Sequence, residues 1–231
     1  MFGSRQRLDM MDNNHFNVEI NGSPVRRVRE CKHLGVIVDE NLTWQKHINS
    51  LQKKASSGLF MLKSIRNIVN EQVLKIVYNS LIMSHLNYCD VIWANCGVTN
   101  QNILQKIQNR AARIINNTEW RSSATENLSK LNWLTLEQKR KDNIAIMMFK
   151  ILIGLAPPYL TEKFTFRDSS YNTRSGSFNL NIPRPKTESM KRSFLYRGAM
   201  CWNSLAPELR QCPSLGSFKS ILVNDANQGG K

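Results

Sequence analysis

The spacing of apolar residues changes along this chain. Phe16, Val18 and Ile20 alternate with polar neighbours, Asn21-Gly22-Ser23-Pro24 marks a turn, and Val25 and Val28 lead into the run His33-Leu34-Gly35-Val36-Ile37-Val38. Two short runs around an Asn-Gly turn predict a small antiparallel β unit. Asp39 to Leu42 reads as a loop, with Thr43 as the N-cap of a helix. From there apolar residues recur at spacings of three and four: Trp44, Ile48, Leu51, Ala55, Leu59, Leu62 and Ile65. That spacing places them on one face of a helix. Val73, Leu74, Val77, Leu81 and Ile82 form a second stripe, and Ile103, Leu104, Ile107, Ala111 and Ile114 a third. Thr135 with Gln138 matches a capping box in front of a fourth helix running toward Ile153, where Gly154 and the following prolines end it.

This pattern predicts a mainly α fold with a short antiparallel β-hairpin, in which a helical bundle precedes a second helical and extended region. Residues 1–15 read as disordered, 16–43 as the β unit, 44–116 as the bundle and 117–160 as a second helical region. Residues 161–190, rich in Ser, Asn, Thr and Pro, read as an extended linker, 191–223 as C-terminal helices and 224–231 as an unfolded tail.

Charge narrows the function. Among 231 residues, 32 Lys and Arg face 17 Asp and Glu, a formal net charge of +15. Such a field attracts polyanions, either nucleic acid or an anionic membrane face. No apolar run approaches the roughly 20 residues a membrane span requires, because Ile144–Leu155 is broken by Lys150 and stopped at Gly154. With no signal-peptide pattern, an intracellular protein, nuclear or cytoplasmic, is expected. Cys31, Cys89, Cys96, Cys201 and Cys212 form no CxxC pair, and His15, His33, His47 and His85 stand away from zinc-finger spacing, so reduced packing thiols and no metal site are expected.

No phosphate-binding loop, nucleophile elbow or metalloprotease motif is present. Asp39-Glu40 is the one adjacent acidic pair and reads as a solvated turn, so no catalysis by these residues is expected. The basic candidates are more numerous. Lys46, Lys53, Lys54, Lys63 and Arg66 follow the first helix, and Arg110 and Arg113 the third. Arg174, Arg184, Lys186, Lys191, Arg192, Arg197 and Arg210 crowd the C-terminal region among Tyr171, Phe178, Phe194, Tyr196 and Trp202. Basic groups beside exposed aromatics can bind phosphates and stack on unpaired bases, but Phe194 and Trp202 are expected to pack in a core.

Lys32-His33-Leu34-Gly35-Val36-Ile37-Val38-Asp39, followed by Leu42, Trp44 and His47-Ile48, resembles the segment after the polymerase palm in jockey-type non-LTR retrotransposon reverse transcriptases. Later blocks keep the family's order. They are Tyr88 with Trp93; Gln105, Gln108, Arg110, Ala111 and Arg113; Leu131, Trp133, Leu134 and Arg140; Phe149-Lys150 through Gly154 to Pro158-Tyr159-Leu160; and Tyr171, Thr173 and Arg174. Ser193-Phe194, Arg197-Gly198, Trp202-Asn203-Ser204-Leu205, Pro207, Leu209-Arg210 and Phe218-Lys219 close the series. The family's catalytic aromatic-Ala-Asp-Asp turn is absent.

The resemblance implies the primer-grip, thumb and post-thumb part of an RNA-directed DNA polymerase. Residues 16–43 would be the palm edge and primer grip, and residues 44–116 the thumb. Nucleic-acid contacts would then come from Lys32, His33, Leu34, Gly35, Lys53, Lys54, Lys63, Arg66, Arg110, Arg113, Arg174 and Arg197. Gly35 reads either as a close approach at the grip or as a simple β-bulge glycine. No cofactor is expected here, since the parent polymerase uses Mg through upstream residues. The expected partners are RNA or an RNA/DNA duplex, and the rest of the polymerase or another chain through the exposed hairpin edge. The alternative is an inert or adopted remnant serving as a protein-interaction or structural module.

Overall fold

The computed structural model describes residues 18–167 and 178–228, together with 2, 3, 8 and 10. The strands are β1 (Glu19–Ile20), β2 (Ser23–Pro24), β3 (Glu30–His33) and β4 (Val36–Asp39). The helices are α1 (Gln45–Ile65), α2 (Glu71–Tyr78), α3 (Ser84–Asn87), α4 (Asp90–Trp93), α5 (Val98–Ile115) and α6 (Ala124–Lys130). They continue as α7 (Leu136–Leu152), α8 (Pro158–Thr161), α9 (Glu188–Lys191), α10 (Phe194–Ser204), α11 (Pro207–Arg210) and α12 (Leu215–Gln228). The chain is mainly α. It divides into two compact units, Met1–Cys89 with Cys96–Asn127, and Asp90–Asn95 with Leu128–Lys231.

The first unit contains two hairpins where one was expected. β1 pairs with β2 across Asn21-Gly22, as the turn residues require, and β3 pairs with β4 across Leu34-Gly35. The apolar run 33–38 is therefore not one strand. Leu34 and Gly35 both take positive φ, 44° and 84°, the geometry of a two-residue turn that matches strand twist. Leucine carries no signature for that conformation, so the sequence concealed the turn. Phe16 and residues 4–7 lie outside the described residues.

Helix α1 starts one residue later than expected. Its cap position is Trp44, in the left-handed region at φ 66°, with Thr43 immediately before it. Its inner face buries Ile48, Leu51, Ala55, Leu59 and Leu62, as the spacing predicts. Each fully buried aliphatic side chain of this kind contributes about 1.5–3 kcal/mol. The same face packs on α5 through Leu104, Ile107 and Ala111.

Helix α2, capped by Asn70 Oδ1 accepting from the Val73 N–H at 3.0 Å, passes into a π-helical turn at Asn79–Met83. A π turn adds a residue and rotates the register of everything after it. The predicted stripe is kept only in part, and the residues that differ before the turn owe nothing to it. Val73 is exposed, Leu74 and Ile82 remain buried, and Tyr78, Met83 and Leu86 join them. Gly58 lies where α1 meets this turn, and a Cβ there would stand 2.7 Å from Ile82 Cγ1 and 3.0 Å from the Leu81 carbonyl.

The second unit is built on α7. Thr135 Oγ1 accepts from the Gln138 N–H at 3.2 Å, the expected cap, while the Gln138 side chain turns to Asp142 instead of closing the box. At the other end Gly154 takes φ 77°, with the Leu155 N–H bonded to Lys150 O at 2.8 Å and the Gly154 N–H to Ile151 O at 3.3 Å. That pair of bonds is a Schellman motif, which glycine permits. The core gathers Phe149, stacked on Phe218 at 4.4 Å, with Trp202 at 6.4 Å. Phe164 and Leu180, from the polar stretch, are buried in it as well. Helix α12 runs past Val223 to Gln228.

Candidate nucleic-acid interface

The strongest sequence candidates, Lys32, His33, Leu34 and Gly35, sit together at the tip of the β3–β4 hairpin, all exposed; Leu34 is 77 % exposed. Two side chains fix the tip on the unit beneath it. Tyr88 Oη donates to the Leu34 carbonyl at 2.7 Å, and a Cβ on Gly35 would lie 3.3 Å from Tyr88 Cε1. Lower down, the Ile37 N–H donates to Nδ1 of buried His47 at 3.3 Å. That bond requires an unprotonated Nδ1. Burial, reinforced by the Lys54 charge, holds the His47 pKa below its ordinary value. Gly35 itself takes φ 84°, an unusual backbone angle that glycine permits.

Helix geometry disperses the remaining basic candidates. Lys54 lies on the His47 side of α1, near the hairpin foot, whereas Lys53, roughly a quarter-turn away, shares the outer face with Lys46. Lys46 pairs with Glu30 on β3. Lys63 is about half a turn round from Lys54. Together with half-buried Arg66 it marks the far end of a 21-residue helix, which spans about 30 Å. Arg110 is exposed on α5 beside Lys106. Arg113, half-buried, donates from Nε at 3.0 Å and Nη2 at 2.9 Å to the Ser122 carbonyl, so its charge is engaged in holding a turn.

Arg197 belongs to the second unit. There it lines an open cavity of about 940 Å³ with Trp133, Tyr196, Lys141 and Cys201. Burial raises the Cys201 thiol to about 11. Trp202 and Phe194 take their core alternative: the Trp202 indole N–H donates to Phe178 O at 2.9 Å, and Phe194 meets Phe164 edge-to-face at 6.0 Å. Arg174 and Tyr171 lie outside the described residues.

The acidic pair differs from the solvated turn expected of it. Asp39 Oδ1 accepts from the N–H groups of Asn41 and Thr43, and Oδ2 from the Trp44 N–H at 2.8 Å and the Thr43 hydroxyl. Glu40 pairs with Arg27 at 3.2 Å. Both carboxylates are therefore engaged in closing the loop ahead of α1. No group of three or more His, Cys, Asp and Glu able to hold a metal occurs among the described residues.

One surface feature carried a signal outside the helical periodicity, a tryptophan inside a polar stretch. Trp120 lies between α5 and α6 and is 76 % exposed, with the Arg121 guanidinium 4.8 Å from its ring centre.

Comparison with known proteins agrees with the resemblance to jockey-type RNA-directed DNA polymerases. The chain is 29 % identical over 106 residues to the RNA-directed DNA polymerase from mobile element jockey of Drosophila funebris, a match covering 45 % of this chain and 12 % of that protein. Over that stretch the chain is similar to that polymerase. The probable RNA-directed DNA polymerase from transposon X-element of Drosophila melanogaster is 27 % identical over 106 residues, 45 % of this chain and 12 % of its own length. The probable RNA-directed DNA polymerase from transposon BS of the same fly is 25 % identical over 125 residues, 53 % of this chain and 14 % of its own. These jockey-type relatives are thus matched over about half of this chain and about an eighth of their own length. No family model and no solved structure matches the chain at a significant level. Among the described residues, no helix is long and apolar enough to cross a membrane.

Proposed function

We propose that the first unit grips the backbone of an RNA or RNA/DNA duplex as part of a mobile-element RNA-directed DNA polymerase, and that the catalytic carboxylates are supplied from outside these residues. The observation that carries this reading is the β3–β4 tip. An exposed Lys32-His33-Leu34-Gly35 turn, held from below by Tyr88 and His47, is a rigid projection bearing donors and positive charge. Rigid placement lowers the ordering cost that a flexible loop would meet on binding. Lys54 stands near its foot, and the surplus of basic residues over the whole chain supplies the long-range attraction.

Contacts of this sort read phosphates and not bases, so affinity should fall steeply with salt and depend little on sequence. The test is a salt titration of the purified chain against a labelled blunt RNA–DNA hybrid. A log–log slope of roughly −0.9 per neutralised phosphate is expected, reduced by about one such step in Lys32→Ala. Absence of binding at low salt sinks the proposal.

A second reading, a protein-interaction module, draws on Phe60, Ile68 and Ile76, which are 76 %, 80 % and 63 % exposed in the same unit. Partner binding through such residues would be insensitive to salt.

A further inference from the structure

The turn between α5 and α6 exposes a tryptophan on a rigid support. Rigidity comes from Asn127, 2 % exposed at the start of α6. Its Oδ1 accepts from Asn116 Nδ2 at 2.9 Å and from the Thr118 hydroxyl at 2.8 Å, while its Nδ2 donates to Ser122 Oγ at 2.9 Å and Ser123 O at 2.7 Å. Arg113 clamps the Ser122 carbonyl from the helix side. Every polar atom of the buried amide is thus engaged in cross-linking residues 116–123, and Trp120 projects from the loop it closes. A tryptophan left 76 % exposed on so constrained a turn gains little from burial there. Arg121 covers part of one ring face, and that degree of exposure leaves the other face accessible.

Charge on the adjoining helix indicates the occupant. Lys106, Arg110 and Arg113 follow one another at spacings of four and three along α5, which aligns them in one stripe. Because Arg113 is bonded to Ser122, that stripe runs into the Trp120 turn. Between residues 106 and 121 these cations and Arg121 face one carboxylate, the exposed Glu119. An anionic chain carrying flat, apolar faces fits a basic stripe that ends in an open indole.

We propose that Trp120 is a stacking platform for an unpaired base of a single-stranded nucleic acid, with Arg121 supporting the ring and Lys106 and Arg110 tracking the backbone. This rests on the proposed grip and adds to it a site for the unpaired part of the bound molecule. Stacking is tolerant of base identity, since each base has a π-face, so the platform reads strandedness and not sequence.

Three labelled probes test it on the full chain: a blunt RNA–DNA hybrid, the same hybrid with a single-stranded overhang made in RNA or in DNA, and the free strand. The overhang should tighten binding about five- to a hundred-fold over the blunt hybrid. Trp120→Ala should remove that increment and leave blunt binding intact, while Trp120→Tyr keeps most of it. Tryptophan emission should be quenched by the overhang in the wild type and much less in either variant, since Trp44, Trp93 and Trp202 are buried and half-buried Trp133 is the one other indole open to solvent. The RNA and DNA overhangs decide which strand is held. Equal binding of blunt and overhang hybrids, or an overhang increment unchanged in Trp120→Ala, overturns the platform and leaves the grip standing. Quenching by the free strand without blunt-hybrid binding overturns the grip and supports the platform. No binding by any probe overturns both and points to a protein partner for the exposed ring.

Discussion

The phenolic hydroxyl of Tyr88 donates a 2.7 Å hydrogen bond to the carbonyl of Leu34, 54 residues away in sequence, and so anchors the hairpin tip to the end of the helical bundle. The bond lands on a residue whose own backbone is in the left-handed region. A non-glycine residue in the left-handed region costs about 1–2 kcal/mol, and Leu34 stands there at φ 44° with its side chain exposed. Tyrosine, histidine and the turn act on one projection.

Removing that anchor should loosen the tip without unfolding the unit. Tyr88→Phe keeps the ring against Gly35 and loses one hydrogen bond to an exposed carbonyl, so a destabilisation of about 1 kcal/mol or less is expected in urea unfolding. Gly35→Ala should cost more than Gly22→Ala. Both glycines have positive φ, 84° and 74°, but the added methyl meets Tyr88 only at Gly35, and at Gly22 nothing lies within 4 Å. Equal costs for the two alanines would show that the tyrosine contact is not felt. For hybrid binding, Tyr88→Phe should weaken affinity less than Lys32→Ala, because it removes no charge.

Gly58 makes a sharper packing prediction. An alanine in mid-helix normally gains about 1 kcal/mol over glycine. At this position the methyl would meet Ile82 Cγ1 at 2.7 Å and the Leu81 backbone carbonyl at 3.0 Å, and the backbone cannot yield cheaply. Overpacking of this kind costs about 1–3 kcal/mol, so Gly58→Ala should be net destabilising. Gly198→Ala is the contrast. There the close neighbour is the Met148 thioether, an adaptable side chain, and the change should be milder. Thermal unfolding of the two variants side by side checks the order; a stabilised Gly58→Ala would refute the close crossing.

The helical stripes were legible because burial against a partner obeys the 3.6-residue period, and α1, α5 and α7 follow it. The Thr135 cap and the Gly154 stop were legible for the same local reason: each is chemistry between near neighbours. Two kinds of feature were not. The π turn at Asn79–Met83, which rotates the chain after α2, carries no signature residue, and the Leu34-Gly35 turn uses a leucine where the sequence suggests a strand. At the site, Lys32, His33, Leu34 and Gly35 were found together because they are contiguous. The engagement of Arg113 by Ser122, and the tie of Tyr88 to Leu34, depend on tertiary placement that no spacing discloses. Trp120 differs from these, since a tryptophan among Asn117, Thr118, Glu119 and Arg121 has no periodic apolar partners, a pattern that itself points to exposure.

Asn127 should be worth more to the first unit than its size suggests. Asn127→Ala removes one partner each from Asn116 Nδ2, the Thr118 hydroxyl and Ser122 Oγ around a position 2 % exposed, while Asn116 Nδ2 keeps the Asn127 carbonyl and Ser122 Oγ keeps Glu119 O and the Thr118 hydroxyl. Each hydrogen bond lost costs about 0.5–1.5 kcal/mol. Chemical denaturation should show a loss of that order, and hydrogen exchange should rise across residues 116–123. Arg113→Ala should raise exchange in the same segment, because it releases the Ser122 carbonyl. Unchanged exchange there in both variants would mean that the loop is not cross-linked by these groups.

His47 should make stability depend on pH near neutrality. Burial and the Lys54 charge lower its pKa in the folded chain from the ordinary 6.5. Between the two values the unfolded chain binds more protons than the folded one, so stability rises with pH through that window. The contribution is complete above pH 6.5, declines as pH falls below it, and levels off beneath the folded pKa. Protonation of Nδ1 also ends its acceptance of the Ile37 N–H, so acidification should free the hairpin foot first. Asp90 and Asp142, whose carboxyls burial raises, act with the opposite sign. Their effect is common to wild type and variant and cancels in the difference. Unfolding measured from about pH 7.5 down to about 5.0 should therefore show a slope in the wild type that is reduced in His47→Gln, with exchange at the Ile37 amide rising over the same range. Parallel pH curves for the two proteins would mean that the imidazole does not titrate between folded and unfolded chains as this geometry requires.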